Sequence, residues 1–252
     1  MCLILFAYRA HPAYRLVVAA NRDEWFRRPT APAAFWADAP DILAGRDLEQ
    51  GGTWLGVTRH GRFAAITNFR DPGSHRADAP SRGGLVSAFL RADIAPATYL
   101  EQLRPEAPAY NGFSLLVGDG ASLGYLSNRE DKVRNLGPGI YGLSNHLLDV
   151  QWPKVEIGKK RLAAWLDDDR GPEALLALLD DTRAAPDAAL PRTGVTIDWE
   201  RRLSSLRIVG EGYGTRSSTA LAIGISGEIR FLERSFGENG AETGVAQFTI
   251  AG

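Results

Sequence analysis

Strand-length apolar runs, interrupted twice by a pair of amphipathic helices, most constrain what this chain can fold into. Residues 3–8 and 14–20 are apolar runs, the second ending in the polar turn Asn21-Arg22-Asp23-Glu24. Residues 53–58 and 62–67 flank Arg59-His60-Gly61, a glycine-containing turn that predicts an antiparallel hairpin. Helical spacing follows, with Leu85, Val86, Phe89 and Leu90 on one face and Tyr99, Leu100 and Leu103 continuing in a second helix before Pro105. Strands return at 113–118, 123–127 and 140–144, the first two joined at Asp119-Gly120. Pro153 suits the first turn of a third helix with a stripe of Val155, Leu162, Trp165 and Leu166, and 172–179 is a fourth. Three more strands, 217–225, 229–236 and 245–250, close the chain.

Strands grouped between helical pairs do not describe a parallel sheet, in which each strand is followed by one helix. The order predicts an α+β fold, a four-layer αββα sandwich of two antiparallel sheets with helices on both outer faces. No Ser- or Gly-rich linker, charge run or internal repeat divides the 252 residues, so 1–252 is expected to form a single domain. Residues 68–84 lack apolar periodicity over a length unusual for a loop, which marks them as a candidate lid.

The charge balance directs attention to small-molecule chemistry. With 29 basic against 30 acidic residues the chain has no global positive field for a nucleic acid or an acidic membrane surface. No run approaches the ~18 apolar residues of a membrane span. Residues 3–7 are too short for a secretory core, so a cytoplasmic protein is expected. Nothing in the sequence sets an oligomeric state. The four histidines, His11, His60, His75 and His146, lack metal-ligand spacing, and no dinucleotide fingerprint, phosphate loop or Gly-x-Ser-x-Gly elbow is present, so no metal and no required cofactor are expected. The single cysteine rules out an internal disulfide and a cysteine-built zinc site. It is Cys2, and trimming of Met1 would leave one residue carrying both a thiol and a free α-amine.

Polar residues stand at the ends of the apolar strands: 21–24 after the second, Asn68 after 62–67, Asn145 after 140–144, and Arg216 before 217–225. Strand ends are where a rigid scaffold gathers polar groups about one point, although each Asn taken alone also suits a turn.

Met1-Cys2 with the apolar strand that follows, Ala19-Ala20-Asn21-Arg22-Asp23-Glu24, Gly51-Gly52-Thr53-Trp54-Leu55-Gly56, Thr67-Asn68, Tyr110-Asn111-Gly112-Phe113, Tyr141-Gly142-Leu143-Ser144-Asn145 and Tyr213-Gly214-Thr215-Arg216 together resemble the Asn-Arg-Asp-Glu family, also called transport and Golgi organisation protein 2. That family is similar in turn to the N-terminal nucleophile hydrolases of the penicillin V acylase and bile-salt hydrolase branch. The resemblance implies an αββα sandwich and a carboxamide-cleaving site with Cys2 as nucleophile, Asp23 orienting it, Asn68 and Asn145 serving oxyanion and substrate, and Arg216 completing the set. Asn21, Arg22, Glu24 and Trp54 then become candidate substrate contacts. One position departs from the branch: the arginine it places three residues before the aspartate is Ala20 here, and strand alternation is expected to direct the neighbouring Arg22 elsewhere.

The chemistry is self-consistent, since an α-amine of pKa about 7.7–8.0 beside a thiol of about 8.5 can relay a proton near neutral pH. The family's links to haem trafficking and acyl-CoA or lipid handling imply an alternative, a non-catalytic binding protein in which Cys2 or a histidine ligates haem. An apolar pocket drawn from Trp25, Phe26, Trp36 and Trp54 would suit that alternative, and core packing accounts for the same aromatics.

Overall fold

The first strand is apolar on both faces and so needs a packed layer on each side. In the computed structural model, which describes residues 2–168 and 171–252, it receives both. Ile4, Phe6 and Tyr8 enter one core, while Leu3, Leu5 and Ala7 enter another.

In chain order the elements are β1 (Cys2–His11), β2 (Tyr14–Trp25), β3 (Thr30–Trp36), β4 (Ala39–Asp47), β5 (Leu55–Thr58), β6 (Phe63–Asn68), α1 (Gly83–Arg91), α2 (Pro96–Leu103), β7 (Phe113–Gly118), β8 (Leu123–Ser127), β9 (Lys132–Asn135) and β10 (Gly139–Leu143). There follow α3 (Pro153–Asp168), α4 (Pro172–Leu178), α5 (Ile197–Arg202), β11 (Tyr213–Gly224), β12 (Ile229–Phe236) and β13 (Glu242–Ile250). One sheet runs β10-β1-β2-β11-β12-β13 and the other β3-β4-β5-β6-β7-β8-β9, with every neighbouring pair antiparallel. The sheets enclose a core that includes Phe6, Val18, Phe63, Tyr125 and Phe231. Outside the first sheet, α3 and α4 bury Val155, Leu162, Trp165 and Leu175; outside the second, α1 and α2 bury Val86, Phe89 and Leu100. This is the αββα sandwich that the order of apolar runs predicts.

Besides the short, polar β9, two strands, β3 and β4, carry none of the apolar runs picked out above. β3 contains Pro32, which cannot donate to a ladder, and it lies at the edge of its sheet, where that loss is tolerated. Both have largely exposed or half-buried positions, so their alternation is weak. Among the described residues no helix is long and apolar enough to cross a membrane.

Close approach of α3 to β1 depends on Gly158, where a Cβ would stand 2.5 Å from Leu5 Cδ1 and 2.7 Å from Cδ2. Leu5 is fully buried, so its side chain would have to shift within the packed core. Gly158→Ala is therefore expected to destabilise the protein by about 1–3 kcal/mol through overpacking, in spite of alanine's better helix propensity, as read by urea unfolding.

Candidate active site

Cys2, the first residue of β1, shares its alternation with Ile4 and Phe6, which places it on the face between the sheets. There it opens into a cavity of about 630 Å³ whose walls also include Arg22, Asp23, Trp54, Asn68 and Arg216. Burial to 9% exposure pushes the thiol above its ordinary pKa, and the Asp23 charge adds to that; the Arg22 charge and a hydrogen bond from the Asp23 backbone act in the opposite direction. Burial thus favours the neutral thiol, while Arg22 and the Asp23 backbone favour the thiolate.

Asn145 is fully buried and works as a clamp. Its Oδ1 accepts from the Cys2 backbone N–H at 3.3 Å, and its Nδ2 donates to the Asn68 carbonyl at 3.0 Å. Ser144 Oγ donates to the Cys2 carbonyl at 3.1 Å, Thr67 Oγ1 to the Ser144 carbonyl at 2.7 Å, and the Arg70 N–H to the Asn145 carbonyl at 2.8 Å. The end of β6 in one sheet is thereby fastened to the segment after β10 and to Cys2 in the other. The half-buried Asn68 side chain faces the cavity and makes no hydrogen bond among the described residues, so its amide is available to a ligand.

The cavity wall is charged. Six arginines, Arg22, Arg28, Arg46, Arg76, Arg82 and Arg216, face four carboxylates, Asp23, Glu24, Asp47 and Glu233. Arg28 pairs with Asp47 at 2.7 Å, Arg46 pairs with Asp38, and Arg22 lies 3.9 Å from Glu24. Arg216 is different: its Nη1 donates to the carbonyls of Trp25 (3.0 Å), Phe26 (3.3 Å) and Arg28 (2.9 Å). Arg82 Nη1 donates to the Gly112 carbonyl at 2.9 Å. Both guanidiniums are fixed by neutral acceptors and make no ion pair among the described residues, so neither is committed to a carboxylate. A register shift between Thr215 and Ser217 releases Arg216 from the regular alternation of β11.

The loop carrying Arg82 is set by backbone packing. A Cβ on Gly52 would stand 2.5 Å from the Gly83 carbonyl carbon, and Thr53 donates to the Gly83 carbonyl at 3.3 Å, so the start of α1 rests directly on the Gly51-Gly52-Thr53 turn. Farther back, Arg76 and Asn111 exchange two 2.8 Å bonds, Arg76 N–H to Oδ1 and Nδ2 to the Arg76 carbonyl. Residues 75–83 form one wall of the cavity.

Behind Cys2 lies a second group of charges. Asp23 is 1% exposed and accepts a 2.7 Å bond from Thr215 Oγ1. Burial pushes its carboxyl above the ordinary value, against the pull of Lys154. Lys154 is 2% exposed and its Nζ has no hydrogen-bond partner among the described residues; burial pulls it down to about 8. Nearby, Arg70 donates to Glu200 at 2.7 Å in a fully buried pair, with its guanidinium 4.7 Å above the Trp152 ring. Glu200 also accepts from the Thr193 N–H and hydroxyl at 2.9 and 2.6 Å.

Of the residues singled out from the sequence, Cys2, Asp23, Asn68, Arg216, Arg22, Glu24 and Trp54 line the cavity, and Asn145 sits directly beneath it. Asn21 does not join them. Its Nδ2 donates to the Leu206 and Leu179 carbonyls at 2.8 and 3.3 Å, and its Oδ1 accepts from Ser218 at 2.5 Å, all on the side of β2 that faces α4. Arg22 corrects the expectation in the other direction: residues two apart in a strand share a face, so Arg22 follows Ala20 and faces Cys2. Of the four aromatics, Trp54 alone borders the cavity; Trp36 is core, and Trp25 stacks edge-on with Trp199 and Tyr213. Sequence reasoning passed over Arg82, Lys154, Arg70 and Glu200. Lys154 did leave a signal, since it falls at the i, i+4, i+8 and i+11 positions shared with Gly158, Leu162 and Trp165, a lysine on a buried stripe.

The two-sheet sandwich with helices on both outer faces defines an N-terminal nucleophile hydrolase-like fold. A solved structure of the same architecture, the Caenorhabditis elegans N-acylethanolamine-hydrolyzing acid amidase ortholog, matches with a TM-score of 0.50 and 10% identity over 87% of this chain and 92% of that one, a likeness of fold alone. The family model described as Transport and Golgi organisation 2 matches residues 1–238, and the chain belongs to that family. The Transport and Golgi organization protein 2 homolog of Bos taurus is 36% identical over 93% of both chains, and the Mus musculus homolog is 34% identical over 99% of both.

The two asparagines are expected to separate by measurement. Asn145→Ala leaves buried backbone groups of Cys2 and Asn68 without partners and is expected to lower stability by about 1–3 kcal/mol. Asn68→Ala, which breaks no side-chain bond, is expected to stay within about 0.5 kcal/mol in the same denaturant titration.

Proposed function

We propose that this chain is an amide hydrolase in which the Cys2 thiol attacks the carbonyl carbon of a small amide bearing an anionic group. The observation that carries the reading is the convergence on one cavity of Cys2, an uncommitted Asn68 amide and two arginines, Arg82 and Arg216, that make no ion pair among the described residues. A carboxylate or phosphate on the substrate supplies the missing partner, and charge-assisted bonds to guanidinium favour planar, two-oxygen acceptors.

In this reading, removal of Met1 frees the Cys2 α-amine, which takes the thiol proton as the Sγ–carbon bond forms. Asn68 Nδ2 donates to the developing oxyanion, a contribution of roughly 3–4 kcal/mol for a well-placed donor. Collapse of the tetrahedral species breaks the carbon–nitrogen bond, and the departing amine receives the proton held by the α-amine. Water then adds to the thioester, releasing the acid and restoring the thiol. Asn145 keeps the nitrogen of Cys2 in register through both steps, because its Oδ1 accepts from that atom. The haem- or lipid-binding alternative draws on the apolar part of the same wall, where Trp54, Ile66, Pro80 and Phe236 stand among the charges.

The proposal is tested by assaying purified protein against paired N-acyl amides that differ only in whether the amine portion carries a carboxylate. The anionic member is expected to turn over faster, Cys2→Ala to lower the rate by about 10³-fold or more, and Arg82→Met to lower kcat/KM by about 10–100-fold on the anionic member only. Intact-mass measurement is expected to show Met1 absent. Retained Met1, or turnover undiminished in Cys2→Ala, would sink the mechanism.

A further inference from the structure

Lys154 is a charge that the fold by itself does not need. The ammonium is buried without a hydrogen bond in the first turn of α3, where the helix dipole also opposes a cation. Methionine would fill the same space without any of these penalties. Alternation places Asp23 on the side of β2 shared with Asn21, towards the helix layer, and the charges that act on Lys154 are Asp23 from β2, Arg70 from the segment after β6, Cys2 from β1 and Glu200 from α5. Arg70 is already paired with Glu200, which leaves Asp23 as the leading attraction for the ammonium. The packing that brings it there is the Gly158 contact: one helical turn on and on the same face, α3 lies hard against Leu5 of β1.

We infer that Lys154 is a positioning residue of the active site, holding Asp23 as a carboxylate from the helix layer so that Asp23 can in turn orient the amine and thiol of Cys2. The inference rests on the reading of Cys2 as nucleophile. It also accounts for Ala20: that fully buried position carries no charge, and the cation behind the aspartate comes from another layer of the sandwich. The signs agree at neutral pH. Burial raises Asp23 and lowers Lys154, and the charge of each opposes that shift in the other, beside the Thr215 hydrogen bond to Asp23. With Lys154 at about 8, the charged pair persists at pH 7 and the ammonium is lost as pH rises through that value. Removing Lys154 should let Asp23 keep its proton to higher pH.

NMR titration reads this from both ends. The chain has four lysines, Lys132, Lys154, Lys159 and Lys160, and Lys154 is the buried one, so side-chain ¹⁵N labelling resolves its ammonium. In Asp23→Asn its midpoint is expected to fall by about one pH unit or more, and in Lys154→Met the ¹³C-labelled Asp23 carboxyl is expected to rise by the same amount, since the coupling is reciprocal. Iodoacetamide alkylation of Cys2, the sole thiol, gives the functional arm. Lys154→Met is expected to change the rate at pH 7 by about threefold or more in the native background and to have no effect in the Asp23→Asn background. A Lys154 midpoint indifferent to Asp23→Asn, or an equal alkylation change in both backgrounds, overturns the inference. Should Lys154→Met fail to fold, the lysine titration decides alone, because it uses only native and Asp23→Asn protein. None of these measurements needs a substrate, so a protein inactive on every amide would count against the proposed hydrolase and leave this coupling standing.

Discussion

The hydrogen-bonded seam between the ends of β6 and β10 is the constraint on which the rest of the site depends. Apolar packing between two sheets resists separation but is weakly directional, and it permits small sliding of one layer over the other. The bonds from Thr67 and Arg70 to Ser144 and Asn145, and from Asn145 to Cys2 and Asn68, are directional and buried, and they remove that freedom at one edge of the sandwich. Cys2 on one sheet and Asn68 on the other are thereby held in fixed relation, although about sixty-five residues separate them along the chain. Each participant is a backbone group or a short side chain, so the seam has few rotamers to lose.

Charge burial is arranged in two tiers around this seam. In front, arginines anchored on carbonyls present positive charge to the cavity; behind, Asp23, Lys154, Arg70 and Glu200 form a compact set of two anions and two cations under the sheet. Buried ions contribute little net stability and are strongly destabilising when one partner is lost. A chain that gathers four of them from separate layers behind Cys2 has accepted instability at the place where its only thiol sits.

Much of this was legible in the sequence, for physical reasons that can be named. The layered architecture follows from apolar runs of strand length and helical stripes such as Leu85, Val86, Phe89 and Leu90, because burial on a face imposes periodicity. Cys2, Asn68, Asn145 and Arg216 could be picked out because strand ends are punctuated by polar residues. β3 and β4 escaped, since an edge strand with a proline and half-exposed positions carries little pattern. Asn21 was drawn in by its neighbours, although parity separates it from Arg22 and Glu24 and ties it to the α4 side. Arg82, Arg70 and Glu200 reach the site only through long-range packing, which leaves no local mark, whereas Lys154 sits where a stripe of apolar positions is interrupted by a cation.

The wall formed by residues 75–83 has a mechanical consequence. It is pinned at one end by the paired amide bonds between Arg76 and Asn111 and at the other by the contact of Gly83 with Gly52 and Thr53. A strap fixed at both ends can bow outward about the line joining its anchors but cannot slide along it. Ligand entry can therefore change the height of the cavity while Arg82, next to the second pin, stays nearly stationary. The Arg82 guanidinium stands beside a pin and the middle of the strap does not, so the charge presented to the cavity and the span that bounds it belong to different parts of the same nine residues.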